Sequence, residues 1–196
     1  MIKLTTPISE EVIRNLKVGD ICAITGIIVT ARDAGHKLMV EERPGFLDEY
    51  LNGGVIYHCG PVVKKEGEKW SFVAAGPTTS AREEPYQAKV IESYTVRGVI
   101  GKGGMGEKTL EACKNYGAVY FHAVGGCGTL LAKSVIEVIT VFKLEEFGAP
   151  EAFWVCKAVD FPVIVTMDSH GKSIHADVKK ASNEVYTKIM TELSAK

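Results

Sequence analysis

Apolar residues recur every three or four positions near the end of the chain. This spacing is typical of an amphipathic helix with one apolar face. It predicts a helix over 177–193 whose apolar positions are Val178, Ala181, Val185, Ile189 and Leu193.

The first half of the chain is richer in short apolar runs, which favour β-strands. The run 21–30 is rich in Ile, Val and Thr around a glycine, and the runs 55–59 and 70–75 each lead into a Gly-Pro pair. Two short helices are predicted between these strands. One spans 9–16, with Ser9 as its cap, and the other spans 36–43 and ends before Pro44.

The second half of the chain alternates between strand and helix patterns. Such alternation predicts a mixed α/β layered domain, which we place over residues 1–196 as a single unit. Strands are predicted over 96–100, 118–124, 153–159 and 163–167, and helices over 107–116 and, despite its β-branched residues, 129–146.

Composition narrows the function classes. The chain has 196 residues, 46% of them hydrophobic, and a formal net charge of -1, so it carries no basic footprint for nucleic acid or membrane. No run is long enough to span a bilayer and no signal peptide is evident, so we expect a cytoplasmic protein. The five cysteines form no CxxC pair, which predicts reduced and mostly buried thiols.

Four polar, glycine-containing segments follow strand-like runs. Because sites on layered α/β folds are usually built at strand ends, these segments are the candidate functional loops. They are TARDAGHK (30–37), HCGP (58–61), AGPTTSAR (75–82) and GKGGMG (101–106).

The GKGGMG segment is similar to a phosphate-binding loop, because its glycines expose backbone N–H groups and Lys102 adds a positive charge. It lacks the Ser or Thr that follows lysine in a Walker A loop, and it matches the weak dinucleotide spacing GxGxxG without the expected acidic residue. A broader expectation is an anion site at the N-terminus of the helix that follows. The anion could equally be a carboxylate.

Two arginines and one lysine lie in these loops. Arg82 and Arg32 could each bind a carboxylate through a planar fork, and Lys102 adds a third cation. The alternatives are an ordinary turn that starts a helix, and a solvated loop in which Arg32 pairs with Asp33. The histidines show no metal-ligand spacing. Taken alone, these residues suit a small dicarboxylate.

As an ordered set, the loop segments resemble the iron–sulfur-dependent class I fumarases and the related tartrate dehydratases. The similarity is to their C-terminal domain, which is a separate beta subunit in two-chain versions. The segments that carry it cover nearly the whole chain: TARDAGHK, YHCGPVV, AAGPTTSAR, VIGKGGMGEKT, GAVYFHAVGG, GAPEAFWV and VDFPVIVTMDSHG.

The resemblance implies a swivelling β/β/α domain like the mobile domain of aconitases. It implies a larger alpha subunit that holds a [4Fe–4S] cluster on three cysteines and leaves one iron open for substrate. The active site would form between the two subunits, so this chain would supply half of it and no metal ligand. We therefore expect a hetero-oligomer that acts on a small dicarboxylate.

The resemblance also assigns roles to individual residues. Thr78 matches the family's proposed catalytic base, and Arg32, Arg82 and Lys102 match residues that bind the substrate. Ser80 and Ala81 stand where many relatives have Ala and Gly, which changes the loop's stiffness. Neighbours in the same motifs, without an assigned role, are His36, Gly76 and Thr79.

The expected activity is the interconversion of fumarate and L-malate by a hydro-lyase. Tartrate dehydration by the same kind of site is the main alternative. Two further alternatives are a non-catalytic carboxylate-binding module and a nucleotide-binding module that uses GKGGMG.

Overall fold

The computed structural model describes residues 1–194 and contains nine strands and eight α-helices in that range. The strands are β1 (Ile2–Thr5), β2 (Ile21–Thr30), β3 (Val55–Tyr57), β4 (Val62–Glu66), β5 (Lys69–Ala74), β6 (Gly98–Gly101), β7 (Val119–His122), β8 (Val135–Phe142) and β9 (Phe153–Met167). The helices are α1 (Glu10–Asn15), α2 (Asp33–Glu41), α3 (Asp48–Leu51), α4 (Glu84–Tyr94), α5 (Glu107–Tyr116), α6 (Gly128–Ala132), α7 (Leu144–Phe147) and α8 (Ile174–Ser194).

Seven strands form one sheet in the order β1-β2-β3-β6-β7-β9-β8, and β4 and β5 form a separate hairpin. The pairs β2–β3, β3–β6 and β6–β7 are parallel. Strand β9 runs antiparallel to β7 and also to β2, so the pairing β2-β3-β6-β7-β9 returns to β2. The α/β class predicted from the sequence is confirmed.

Two hydrophobic clusters hold these layers together. One packs inside the ring of strands and includes Tyr57, Phe121 and Phe161. The other lies between the opposite sheet face and the helices, and it includes Met39 and Ile91. Because both faces of β3 and β6 are covered, these strands are apolar throughout rather than alternating.

Most predicted elements are present, with shifts at their ends. Helix α5 has the predicted bounds, and Ser9 caps α1 by accepting a hydrogen bond from the backbone N–H of Val12 at 3.3 Å. Helix α2 begins at Asp33 rather than His36, so the RDAG segment opens the helix. Strand β9 continues through Pro162, where two separate strands were predicted.

The helix predicted over 129–146 is wrong. Strand β8 occupies the middle of this segment, between the short helices α6 and α7, and pairs with β9 at an edge of the sheet. Its β-branched residues lose side-chain freedom in a helix and fit the pleated surface instead. Because β8 is only partly covered on both faces, its apolar and polar residues do not alternate as cleanly as in a strand with one buried face.

A buried chain of polar side chains crosses from the sheet to α4. Tyr120 donates its hydroxyl to Ser80 Oγ at 2.8 Å, and Ser80 Oγ lies 2.8 Å from Nδ1 of His58. Nε2 of His58 and Nε2 of His36 lie 2.8 and 2.9 Å from Oε1 of Gln87. These bonds fix the turn before α4 against β7 and the end of β3, and a side chain at position 101 of β6 would collide with Ser80 Oγ.

Glu83 lies at the end of this polar chain, only 2% exposed. One of its carboxyl oxygens is 3.5 Å from Nδ1 of His36. Burial, followed by the neighbouring Asp33 carboxylate, raises the pKa of Glu83 to about 8, and burial lowers the pKa of His36. Near neutral pH the pair is therefore neutral, with a protonated Glu83 beside an uncharged imidazole.

We predict that Glu83 makes stability fall as pH rises from about 5 to about 8. Its pKa is higher in the folded protein than the ordinary value of 4.5, so only the folded state binds the proton in this interval. The Glu83→Gln variant keeps a neutral side chain and should lose this dependence. Between pH 5 and pH 8, the free energy of unfolding of this variant should rise by about 1 kcal/mol or more relative to that of the wild type.

Urea unfolding at half-unit pH steps measures this difference. Glu11→Gln, at an exposed position of α1, is the matched control and should follow the wild-type curve. Parallel curves for Glu83→Gln and the wild type would show that Glu83 is already ionised when the protein folds at pH 5.

Candidate functional site

Parallel pairing brings three of the four predicted loops to one edge of the sheet. The carboxyl ends of β2, β3 and β6 lead directly into the segments 31–36, 58–61 and 102–106. The fourth loop, 75–82, follows the hairpin strand β5 and crosses back to the same edge. There its Pro77 pairs with Cys59, and its Thr79 pairs with Lys102 in a short parallel bridge.

This bridge places Thr78 and Lys102 side by side. The backbone N–H of Lys102 donates to the carbonyl of Thr78 at 3.2 Å, and the N–H of Ser80 donates to the carbonyl of Lys102 at 3.0 Å. The N–H of Thr78 is bound by the carbonyl of His58 at 2.8 Å. The main chain on both sides of the threonine is therefore fixed by neighbouring strand ends.

The side chains of Thr78 and Lys102 are left without partners in this arrangement. Oγ1 of Thr78 is buried and makes no hydrogen bond within residues 1–194. The Lys102 ammonium forms no ion pair with a carboxylate in the same range. A buried hydroxyl without a partner costs roughly 1–3 kcal/mol, and such groups call for an explanation in a native fold.

Asp33 joins the two predicted arginines. Its Oδ2 contacts the guanidinium of Arg82 and lies 4.0 Å from Nη2 of Arg32. Glu151 holds Arg32 from the other side, with Oε1 3.3 Å from Nε, and its second oxygen accepts the backbone N–H of Ala34 at 3.0 Å. Arg82 is more than half exposed and Arg32 is one-fifth exposed, so each keeps donors available for a further anion.

The N-terminus of α5 does not offer the anion site predicted from GKGGMG. Glu84 of α4 occupies it, accepting the backbone N–H of Gly106 at 2.7 Å and both the N–H and hydroxyl of Thr109 at 3.3 and 2.7 Å. A carboxylate does bind there, as the helix dipole favours, but it belongs to this chain. The loop thus uses its glycines for close packing, since a side chain at position 106 would strike Glu84.

The three residues that were predicted as neighbours of the site, His36, Gly76 and Thr79, lie in different surroundings. His36 is fully buried in the polar chain, and Thr79 is exposed and contributes its backbone to the bridge with Lys102. Gly76 packs against Gly128, where an added side chain on Gly128 would come within 3.2 Å of the Gly76 nitrogen. Of these three, only Thr79 directly adjoins the group of Thr78 and Lys102.

Sequence reasoning missed Glu151, which holds Arg32, and the buried residues Glu83 and Gln87, which contact the histidines beneath the site. Glu151 comes from the segment before β9, and Glu83 and Gln87 belong to a turn and helix, α4, that were not predicted. Pro85 in the first helical turn was the available signal, together with the apolar residues Val90, Ile91 and Tyr94 at helical spacing. No pattern in the sequence pointed to Glu151.

The side chains of residues 1–194 do not fit an iron–sulfur or other metal site. No group of three or more His, Cys, Asp and Glu side chains comes close enough to hold a metal ion in that range. All five thiols are free, as predicted, and four of them are buried. Burial raises the pKa of Cys59 and Cys113 to about 12, which disfavours the thiolate that a cluster needs. Nor does any described helix have the length and hydropathy of a membrane span.

Comparison with known proteins places the chain among hydro-lyase relatives. It is 53% identical over 186 residues to a putative class I fumarate hydratase of Geobacillus stearothermophilus, covering 94% of this chain and 35% of that protein. It is 42% identical over 192 residues to the beta subunit of L(+)-tartrate dehydratase of Escherichia coli K12, covering 97% and 94%. A putative tartrate dehydratase beta subunit of Methanocaldococcus jannaschii is also 42% identical, with 93% of each chain covered.

The chain thus spans about a third of the fumarate hydratase and nearly the whole of the tartrate dehydratase subunits. The family model described as "Fumarase C-terminus" matches residues 1–178, which include all of the strand-end loops. The chain belongs to the fumarase C-terminal domain family.

Proposed function

We propose that this chain is the beta subunit of a hydro-lyase that interconverts fumarate and L-malate. Its half of the active site is the edge where Thr78, Arg82, Arg32 and Lys102 meet. A larger alpha subunit supplies the other half. The observation that carries the proposal is a buried Thr78 hydroxyl that has no partner among residues 1–194. It lies beside a lysine that is unpaired in the same range and two arginines that are held by carboxylates.

The charges suit a dicarboxylate. Arg82 presents a planar fork that can bind one substrate carboxylate through two parallel hydrogen bonds. Arg32 is held at Nε by Glu151, which leaves its terminal nitrogens as donors for a second anionic group. Lys102 adds a compact positive charge next to Thr78, where the negative charge of a deprotonated substrate carbon would develop.

In the dehydration direction, Thr78 Oγ1 removes a proton from the carbon beside the carboxylate. The electron pair of that C–H bond forms the double bond, and the hydroxyl on the neighbouring carbon leaves as water. The acid that protonates this hydroxyl comes from the alpha subunit. A threonine hydroxyl is a weak base, so the adjacent cations must stabilise the oxyanion form that accepts the proton.

A [4Fe–4S] cluster belongs, in this proposal, to the alpha subunit, since the described part of this chain has no ligand set for it. The work of this chain is to bind and orient the substrate, to neutralise its charge and to exchange a proton at Thr78. We also propose that residues 1–196 form one swivelling domain that closes on the alpha subunit in the cytoplasm.

Tartrate dehydration is the second candidate, because the beta subunits that match this chain over nearly their full length are tartrate dehydratases. L-malate and L(+)-tartrate differ by one hydroxyl. Because this hydroxyl carries no charge, Arg82 and Lys102 do not distinguish the two substrates by charge. Steady-state rates of the assembled enzyme on fumarate, L-malate and L(+)-tartrate decide between them. We expect the larger kcat/KM for the fumarate–malate pair, and a preference for tartrate would replace this substrate assignment.

Removing the Thr78 hydroxyl should abolish most turnover. We expect Thr78→Ala to lower kcat at least about 100-fold, the lower range for the loss of a general base, while the two subunits still assemble. Anaerobic kinetics and size-exclusion chromatography of the complex provide the two readouts. Ser71→Ala removes a hydroxyl from the exposed hairpin and should leave kcat unchanged. Full activity of Thr78→Ala would remove this residue from the mechanism.

Replacing Arg82 by lysine should weaken substrate binding even though the charge is kept. An ammonium cannot form the two parallel bonds of a guanidinium, so we expect KM for fumarate to rise about 10-fold or more. Arg14→Lys is the matched control, because Arg14 also pairs with a nearby carboxylate on the surface, that of Glu10. Unchanged KM in Arg82→Lys would mean that Arg82 does not bind the substrate.

A further inference from the structure

Two segments of the sequence have no role in the proposed function, although both lie against Arg32. They are HCGP (58–61) and GAPEAFWV (148–155). Gly60 packs so closely on the arginine that a side-chain carbon at this position would lie 2.8 Å from Nη1 and 3.0 Å from Cδ. Oε1 of Glu151 lies 3.3 Å from Nε on the same side chain. Gly60 and Glu151 together form what we call the Arg32 socket.

The turn that carries the socket carboxylate is fixed to the end of β2. The hydroxyl of Thr30 donates to the carbonyl of Ala152 at 3.4 Å and accepts the backbone N–H of Trp154 at 3.1 Å. The indole N–H of Trp154 donates to the carbonyl of Ala149 at 2.8 Å. Because Thr30 precedes Arg32 by two residues, one strand end fixes both the arginine and the turn that contacts it.

Glu151 uses both of its oxygens in these contacts. While Oε1 lies against Nε of Arg32, Oε2 accepts the backbone N–H of Ala34 in the first turn of α2 at 3.0 Å. The side chains of Arg32 and Glu151 are only 20% and 22% exposed, so water and salt screen this pair less than the exposed pairs of the surface. The guanidinium is therefore held in one place by a carboxylate that is itself held by the main chain.

We propose that Glu151 is a positioning residue for substrate binding, which acts by fixing the guanidinium of Arg32. The inference rests on the proposed function, in which Arg32 binds a substrate carboxylate. Gly60 leaves the space in which the guanidinium lies, and Glu151 occupies Nε, so the terminal nitrogens are set before the substrate arrives. An arginine that is already ordered loses less freedom on binding, which is worth about 2- to 10-fold in affinity.

Glu151→Gln in the assembled enzyme tests this role. The amide keeps a carbonyl oxygen for the N–H of Ala34 but loses the charge that holds Arg32. We expect KM for L-malate to rise about 3- to 10-fold with little change in kcat, because Arg32 binds substrate and transition state alike. Glu145→Gln, at an exposed position of α7, is the matched control and should leave KM unchanged. Unchanged KM in Glu151→Gln would overturn the proposal.

A double-mutant cycle tests whether Glu151 acts through Arg32. Arg32→Gln should raise KM by itself, and Glu151→Gln should add nothing in that background. Effects that add would show that Glu151 acts independently of Arg32, which contradicts the positioning role alone. Wild-type KM in Arg32→Gln would overturn the role of Arg32 in the proposed function and the inference with it.

Gly60→Ala tests the other side of the socket. The new methyl group would lie 2.8 Å from Nη1 of Arg32 and 2.8 Å from the carbonyl oxygen of Pro150, so the guanidinium must move. We expect KM to rise at least as much as in Glu151→Gln. Gly45→Ala is the matched control, because its methyl group meets only the Asp48 carboxylate, at 3.6 Å, and should leave KM unchanged. A wild-type KM in Gly60→Ala would contradict the socket.

Hydrogen exchange at Arg32 Nε, followed by NMR of the full chain without its alpha subunit, provides a readout that does not depend on turnover. Glu151→Gln should accelerate the exchange of this N–H at least about 5-fold, as expected for the loss of one hydrogen bond. Glu145→Gln should leave it unchanged. Equal exchange rates in Glu151→Gln and the wild type would show that Glu151 does not hold the guanidinium.

Discussion

The parallel pairing of β2, β3 and β6 is the constraint on which the candidate site depends. It sets three strand ends at one edge, so that residues more than 60 positions apart in sequence become neighbours. The fourth loop joins them through a backbone bridge to Lys102 rather than through its own strand. Thr78 is consequently fixed by main-chain bonds on both sides, independently of what its hydroxyl binds.

Two kinds of polar interaction surround this edge, and they have different consequences. Below it, the chain from Tyr120 to Gln87 is buried and hydrogen-bonded, so it holds the turn before α4 in one position. At the edge, the arginines meet carboxylates that are partly exposed, which are weaker contacts that water and a ligand can replace. A rigid hydrogen-bonded layer beneath exchangeable ion pairs suits a binding site that a second protein completes.

The sequence predicted which loops lie at one edge of the sheet better than it predicted the details of the fold. Strand ends followed by glycine-rich polar loops indicated these segments, because the apolar runs before them were unambiguous. Strand β8 was mistaken for a helix since its partly covered faces give no clean alternation, and α4 was missed although Pro85 marked its start. Contacts such as Glu151 with Arg32, or Glu84 at the start of α5, join distant segments and leave no local pattern.

We propose that this chain holds half of an active site. The most direct measurement compares fumarate hydration under anaerobic conditions by the isolated chain and by the chain assembled with its alpha subunit. The account predicts turnover by the complex and none by the chain alone. Turnover by the isolated chain would contradict the account, because the whole reaction would then have to be carried out by residues of this chain.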